Sequence, residues 1–388
     1  MADPIFFTDQ EKANEYEWAE HLIWMEGGEI VEPPVHKPIW PGVIAAIAVA
    51  GVAFAIGGWL GGTGWKHARL VDPVLVAMLL GMILGNVRVS SRLLPGLNFS
   101  VRSLLPFGIV LLGARINFVD ALKIGLPGLG LSAFVVVLSL ALVYGLRKWL
   151  GLEQIFACLL AVGTGICGGT AIVAVAPILR AKERDVMFGV ALVTLVGLVA
   201  MIVLPLIAGP LGLTQTQFGL LAGLTIHQTP QVIASGFAFG DEAGEVATVA
   251  KLARVCLLAP VAVLLGVFAS RMNPDGVAST RRPWYQLLPW FAVGFLVLAA
   301  VRSFGLLPET TWHWADLFHR GPASFNFDFL LACSKASGFL LAMGMVGVGF
   351  QTRFSHFKNI GMRPLLAASG ASLVIGVVVL FLVKFLFP

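Results

Sequence analysis

Charge is the first thing this chain lacks. Asp, Glu, Lys and Arg make up 12% of its 388 residues, against roughly 25% in a soluble protein, so a fully water-facing globular surface is excluded. Acidic side chains are scarcest in the apolar stretches. Asp328 sits at a segment edge, and Asp72, Asp120 and Asp185 fall in loops or caps. A cation pump built around a central carboxylate pair is therefore not expected. Cysteine patterning is absent as well. Cys158, Cys167, Cys256 and Cys333 lie in apolar segments, with no CxxC pair and no histidine at ligand spacing. That argues against a disulfide framework and a metal site. No nucleotide-binding motif is present, so no cofactor is expected and a primary pump would need a partner protein. A secretory signal peptide is not expected: residues 1–38 carry nine acidic side chains and two lysines, and no apolar core with a small-residue cleavage site follows.

Hydrophobic residues are abundant. They make up 58% of the chain, with a mean hydropathy of +0.89, and fall into segments near the ~20 residues a spanning helix needs. Eleven segments are expected, at 39–60, 73–87, 103–117, 125–146, 152–180, 186–210, 217–239, 246–270, 284–302, 328–350 and 364–386. The fold class is an all-α polytopic membrane protein of ten or eleven transmembrane helices. The second and third segments are the weakest spans. Residues 1–38 read as an acidic N-terminal tail and 39–388 as the membrane domain. Segments two to six (73–210) and seven to eleven (217–386) form two sets of five. Five is odd, so the second set would enter from the opposite side, which is the inverted-repeat plan of many secondary transporters. By this count the fifth segment pairs with the tenth, where Ser334-Lys335-Ala336-Ser337-Gly338 interrupts an apolar run. Lys and Arg in short loops place the N-terminus inside, although Arg180, Lys182 and Arg184 cut against that assignment. The net charge of +5 is explained by those loops, without nucleic acid.

Two stretches break the helical pattern at membrane depth. Gly163-Thr164-Gly165-Ile166-Cys167-Gly168-Gly169-Thr170 has four glycines in an apolar run, and each costs about 1 kcal/mol relative to Ala in a helix. Backbone freed there is tolerated only where it is buried in protein or lines a cavity. The expected form is helix, break, helix, with the N–H groups and positive dipole end of the second half-helix facing an anion. Close packing through small residues is the plainer alternative. The second stretch is Thr225-Ile226-His227-Gln228-Thr229-Pro230-Gln231. Its polar groups are expensive in a membrane unless they line a polar path, and Pro230 predicts another break. Hydrogen-bonded helix packing is the alternative there. Two deep cations complete the candidates. Lys335 lies inside segment ten, and Arg254 lies deeper in segment eight than Lys251, which reads as an interfacial anchor. The candidate substrate site is Thr164, Gly165, Cys167, Gly168, Gly169, Thr170, His227, Gln228, Thr229, Gln231, Arg254 and Lys335.

The stretches GTGICGGTAIVAVAPILRAKERD (163–185), AGLTIHQTPQVIASG (222–236), VATVAKLARVCLLAPV (246–261) and LLAMGMVGVGFQTRFSHFKNIGMRPLL (340–366) resemble the YeiH-like family of bacterial inner-membrane proteins, also labelled sulfate exporters. The resemblance covers about residues 70–386. It implies a multi-pass transporter of the sodium–proton antiporter and bile-acid symporter type, with discontinuous helices crossing at the centre. Gln228 departs from the acidic residue that many members carry after the histidine. The expected function is a secondary transporter that exports a small anion such as sulfate, sulfite or an organosulfonate. It would sit in the bacterial plasma membrane, with a proton or sodium ion as a possible coupling ion. A channel or sensor subunit, or an intramembrane enzyme using Cys167 and His227, are the rival readings.

Overall fold

A computed structural model describes residues 38–62, 72–87, 91–116, 118–272, 289–304, 306–307, 312–314, 325–327, 329–357 and 361–387. All but the last position of the acidic tail lies outside these residues, as do Arg88, Arg281, Arg282 and Lys358. The elements run α1 (Trp40–Gly62), α2 (Pro73–Asn86), α3 (Leu94–Arg115), α4 (Phe118–Leu150), α5 (Gln154–Gly165), α6 (Gly169–Leu179) and α7 (Glu183–Ala208). They continue with α8 (Gln215–Thr225), α9 (Thr229–Phe239), α10 (Asp241–Cys256), α11 (Leu258–Met272) and α12 (Trp290–Ser303). An antiparallel ladder pairs β1 (Trp312–Trp314) with β2 (Phe325–Phe327), Trp312 opposite Phe327, and α13 (Phe329–Gln351) and α14 (Met362–Leu386) follow. Among the described residues, 7 helices are long and apolar enough to cross a membrane, with α10 and α11 counted as one through Val267. The chain is an all-α polytopic membrane protein.

The helices gather around two cores. In the first, α1, α2, α3, α12 and α13 bury Met78, Leu97, Ile109, Phe295 and Met345. Here α2 and α13 run parallel in backbone contact: a Cβ on Gly81 would overlap the Val346 carbonyl, and one on Gly85 the Phe350 carbonyl. That four-residue spacing of small residues lets helices meet without a hydrophobic drive between them. The second group, α4 to α11 with α14, buries Val162, Ile172, Leu192, Phe218 and Leu224.

Segments 152–180 and 217–239 do not cross. Each enters, breaks and turns back to the end of the bundle it came from. Glu153, just before α5, lies 3.5 Å from Lys182, just after α6, and a Cβ on Gly163 would meet Ile172 Cδ1 at 2.6 Å. The 26 residues of α7 then carry the chain about 39 Å to the other end. There Phe218 stacks on Phe239 with centroids 4.3 Å apart, and Gln215 Oε1 accepts the Ala243 N–H at 3.4 Å. Two helical hairpins thus enter from opposite ends. Apolar length could not distinguish this from crossing, because 12 and 11 residues with a break between them are also long enough to span.

Folding back moves a charged loop. Arg180, Lys182 and Arg184 return to the end that carries Arg147 and Lys148, whereas a crossing segment would have put them opposite. The expected interruption at Ser334–Gly338 is also absent, since α13 is continuous from Phe329 to Gln351. Ser337 points its hydroxyl at the Gly108 carbonyl of α3, 2.8 Å away, so its polarity is satisfied across a helix interface. The pairing of segment five with segment ten fails for this reason. The break that meets 163–170 is the one at 225–231.

Candidate functional site

The first tip begins where α5 ends. Ile166 leaves the helix at φ −120, ψ −88, and Gly168 turns the chain at φ 72, ψ −128 before α6 starts at Gly169. A side chain would be strained in that conformation. At the second tip, α8 is started by a capping box between Thr214 and Gln217 and ends at Thr225. Ile226 and Gln228 are extended, and α9 restarts with Pro230 in its first turn, where the missing N–H costs nothing. The tips touch: a Cβ on Gly168 would come within 2.8 Å of Gln228 Cγ.

Each tip offers two kinds of helix end, and the chain treats them differently. The carbonyl ends of α5 and α8 are held by two cations of α10. Lys251 Nζ donates to the Ile166 and Ile226 carbonyls at 2.9 Å each and to the His227 carbonyl at 2.5 Å. Arg254 donates from Nε to Gly165 at 2.6 Å, from Nη1 to Leu224 at 2.8 Å and Ile226 at 3.3 Å, and from Nη2 to the Thr164 carbonyl. Both side chains are 0% exposed, and among the described residues no carboxylate lies within ion-pair distance of either. Their counter-charge is the negative end of the two half-helices, and the bonds offset the cost of burying a cation.

Among the described residues, the N–H ends of α6 and α9 have no side-chain partner. Neither N-cap residue, Gly168 or Gln228, makes a side-chain capping bond. Amides and hydroxyls surround them instead. Gln228 Nε2 donates to Thr194 Oγ1 at 2.6 Å, and Gln231 Nε2 to the Thr194 carbonyl at 3.0 Å. His227 Nε2 sits 2.9 Å from Ser372 Oγ of α14. Four buried polar atoms nearby, Thr164 Oγ1, His227 Nδ1, Gln231 Oε1 and Ser235 Oγ, make no hydrogen bond. Gln231 lies so close to α7 that a Cβ on Gly197 would overlap its Oε1. The arrangement can hold an anion with amide N–H groups and hydroxyls. Among the described residues, no three His, Cys, Asp or Glu side chains converge on a metal position.

Most of the residues singled out from sequence do meet. Thr164 and Gly165 supply carbonyls to Arg254, Gly168 and Gly169 form one tip, and His227, Gln228, Thr229 and Gln231 form the other. Cys167 is buried at the first tip, and Thr170 is exposed on the first turn of α6. Arg254 reaches the crossing, but its guanidinium is taken up by backbone carbonyls. The structure does not bring Lys335 there: it is exposed, near the start of α13, and lines a different cavity. Lys251 is no interfacial anchor, being fully buried beside Arg254. Their i,i+3 spacing on an apolar helix was the signal for that pairing. Thr194, the one hydroxyl of α7, and Ser372, one of two serines in α14, gave none.

The family described as "Conserved hypothetical protein 698" matches residues 41–368. A UPF0324 membrane protein of Bacillus cereus is 33% identical over 324 residues, 82% of this chain and 89% of the relative. UPF0324 membrane protein blr3189 of Bradyrhizobium diazoefficiens is 34% identical over 324 residues, covering 83% and 86%. UPF0324 membrane protein OB3406 of Oceanobacillus iheyensis is 31% identical over 336 residues, covering 86% and 91%. No solved structure matches.

Proposed function

The chain belongs to the family described as conserved hypothetical protein 698, the YeiH-like UPF0324 membrane proteins, and we propose that it is a secondary transporter exporting a small anion. Sulfate, sulfite and small organosulfonates are the candidate substrates. One observation carries the reading. At the crossing, cations occupy the carbonyl ends of α5 and α8, while the N–H ends of α6 and α9 meet with no carboxylate among the described residues. Such ends favour an anion, and two broken hairpins meeting from opposite ends suit alternating access around a central site. The anion would lie against the N–H ends of the two tips, next to Gly169, Thr170, Thr229 and Gln231, with Gln228 and Thr194 beside it. This is a carrier and not an enzyme, with a proton or sodium ion as coupling ion.

Orientation follows the basic loops. The end that holds Arg147, Lys148, Arg180, Lys182 and Arg184 also holds Arg363, whose guanidinium would lie 3.1 Å from a Cβ on Gly151. That end faces the cytoplasm. A Cβ on Gly42 would overlap the Leu93 carbonyl, so α1 starts there too and the N-terminus is cytoplasmic.

The test is exchange of radiolabelled sulfate in proteoliposomes, with sulfite, thiosulfate and taurine as competitors. Saturable, competed exchange is expected. Channel-like conductance without saturation, or no flux with any of these anions, overturns the reading.

A further inference from the structure

Away from the crossing, a cavity of ≈ 190 Å³ opens between the two helix groups, lined by Asp72, Arg115, Asp241, Ser334 and Lys335, with Phe54 and Phe237 among its apolar walls. It lies at the end where α2, α10 and α13 begin. Pockets for drug-sized ligands run to about 300–1,000 Å³, so this one suits a ligand of a few heavy atoms. Four charges line it, and two of them are mutually satisfied. Arg115 Nε pairs with Glu245 at 2.8 Å, and its Nη2 reaches Asp241 at 3.6 Å.

The other two are not. Asp72 caps α2, its Oδ1 accepting the Val74 N–H at 2.7 Å, and no cation pairs with it among the described residues. Lys335 has no carboxylate partner among them either. Burial pushes the Asp72 carboxyl up to about 6, with Asp241 adding to the rise, as befits a carboxylate without a counter-ion. Backbone contact at Gly81, Gly85 and Gly349 fixes α2 against α13. A carboxylate and an ammonium therefore face one small cavity without joining.

We propose that this cavity binds a small zwitterion, its ammonium on Asp72 and its acidic group on Lys335 and Ser334. The ligand class is an amino acid or aminosulfonate of glycine-to-taurine size. A singly charged ligand would satisfy one charge and strand the other, and the zwitterion satisfies both. The site shares no residue with the hairpin crossing, so it stands or falls separately from anion export.

The purified full-length chain is tested in detergent at pH 7.5 by thermal unfolding, with glycine, β-alanine and taurine as probes. Acetate, ethanesulfonate and ethylamine serve as half-ligands. At least one zwitterion should raise the melting temperature by about 2–5 °C, and the half-ligands should not. Asp72→Asn keeps the helix cap, since Asn caps as well as Asp, and Lys335→Gln changes an exposed side chain. Both variants should fold and lose the shift. No shift with any zwitterion, an equal shift with a half-ligand, or a shift kept in both variants overturns the proposal.

Discussion

Two regions of this molecule hold cations at membrane depth or close to it, and they use them in opposite ways. At the hairpin crossing, Lys251 and Arg254 are 0% exposed and their donors end on carbonyls from both tips. Beside α2 and α13, Lys335 and Asp72 share a cavity and are bonded to no opposite charge among the described residues. The difference teaches what each cation is for. Burial as deep as that of Arg254 is tolerable only if the charge is consumed by structure. An exposed charge with no partner is available for a ligand. A deep cation in a membrane-protein sequence is easily read as a ligand contact, yet here the deeper one is the more structural. What remains for the proposed anion at the crossing is the opposite set of helix ends.

Removing the consumed cation should do the most damage. Arg254→Ala strands the Thr164, Gly165 and Leu224 carbonyls in the interior, at about 1–3 kcal/mol for each buried group left unpaired. Loss of nearly all monodisperse protein on size exclusion is expected, and normal yield with normal melting temperature would break the contrast. Gly168→Ala comes next. It places a side chain at φ 72 and 2.8 Å from Gln228 Cγ, costing about 1–3 kcal/mol. Folded protein should be recovered, with a lower melting temperature and sharply reduced anion exchange. Unchanged exchange would show that tip geometry is immaterial.

The smallest effect belongs to Asp72. Its carboxyl holds a proton more tightly in the folded chain, at about 6 against an ordinary 3.8. Folding therefore loses stability as pH rises through that window and is unpenalised below it. Arg115, Asp241 and Lys335 face the same cavity, and burial outweighs the Val74 and Leu75 N–H bonds that favour the carboxylate. Melting curves from pH 4 to 7 should decline less steeply in Asp72→Asn than in the parent chain. Identical slopes would remove Asp72 as the titrating group.

Sequence made the two breaks legible because clustered glycines and a polar Pro-containing stretch conflict with an apolar helix. It left their direction open. A half-helix is half a membrane long whether the chain goes on or turns back, so hydropathy cannot separate the two. Arg180, Lys182 and Arg184 carried the missing information: a basic loop on the apparently wrong side is what a returning hairpin produces. Ser334–Gly338 misled for a related reason. Two serines and one glycine look like an interruption, but Ser337 is satisfied by the Gly108 carbonyl across α3 and the helix runs on. Thr194 was invisible, since one hydroxyl in a 26-residue apolar helix is unremarkable until Gln228 and Gln231 reach it. The membrane class was the easiest part, following from composition alone.

The central claim is that the facing N–H ends of α6 and α9 bind an anion, and Gln228→Glu tests it most directly. A carboxylate at 228 would cap α9, where the helix dipole favours it by about 0.3–1 kcal/mol. It would also stand beside Gly168, where the anion is placed, and Thr194 could turn its hydroxyl to donate to it. Equilibrium binding of radiolabelled sulfate to the purified protein is the measurement. The account predicts saturable binding to the parent chain, and its loss in a Gln228→Glu protein that melts at or above the parent temperature. Undiminished sulfate binding by that variant would contradict it.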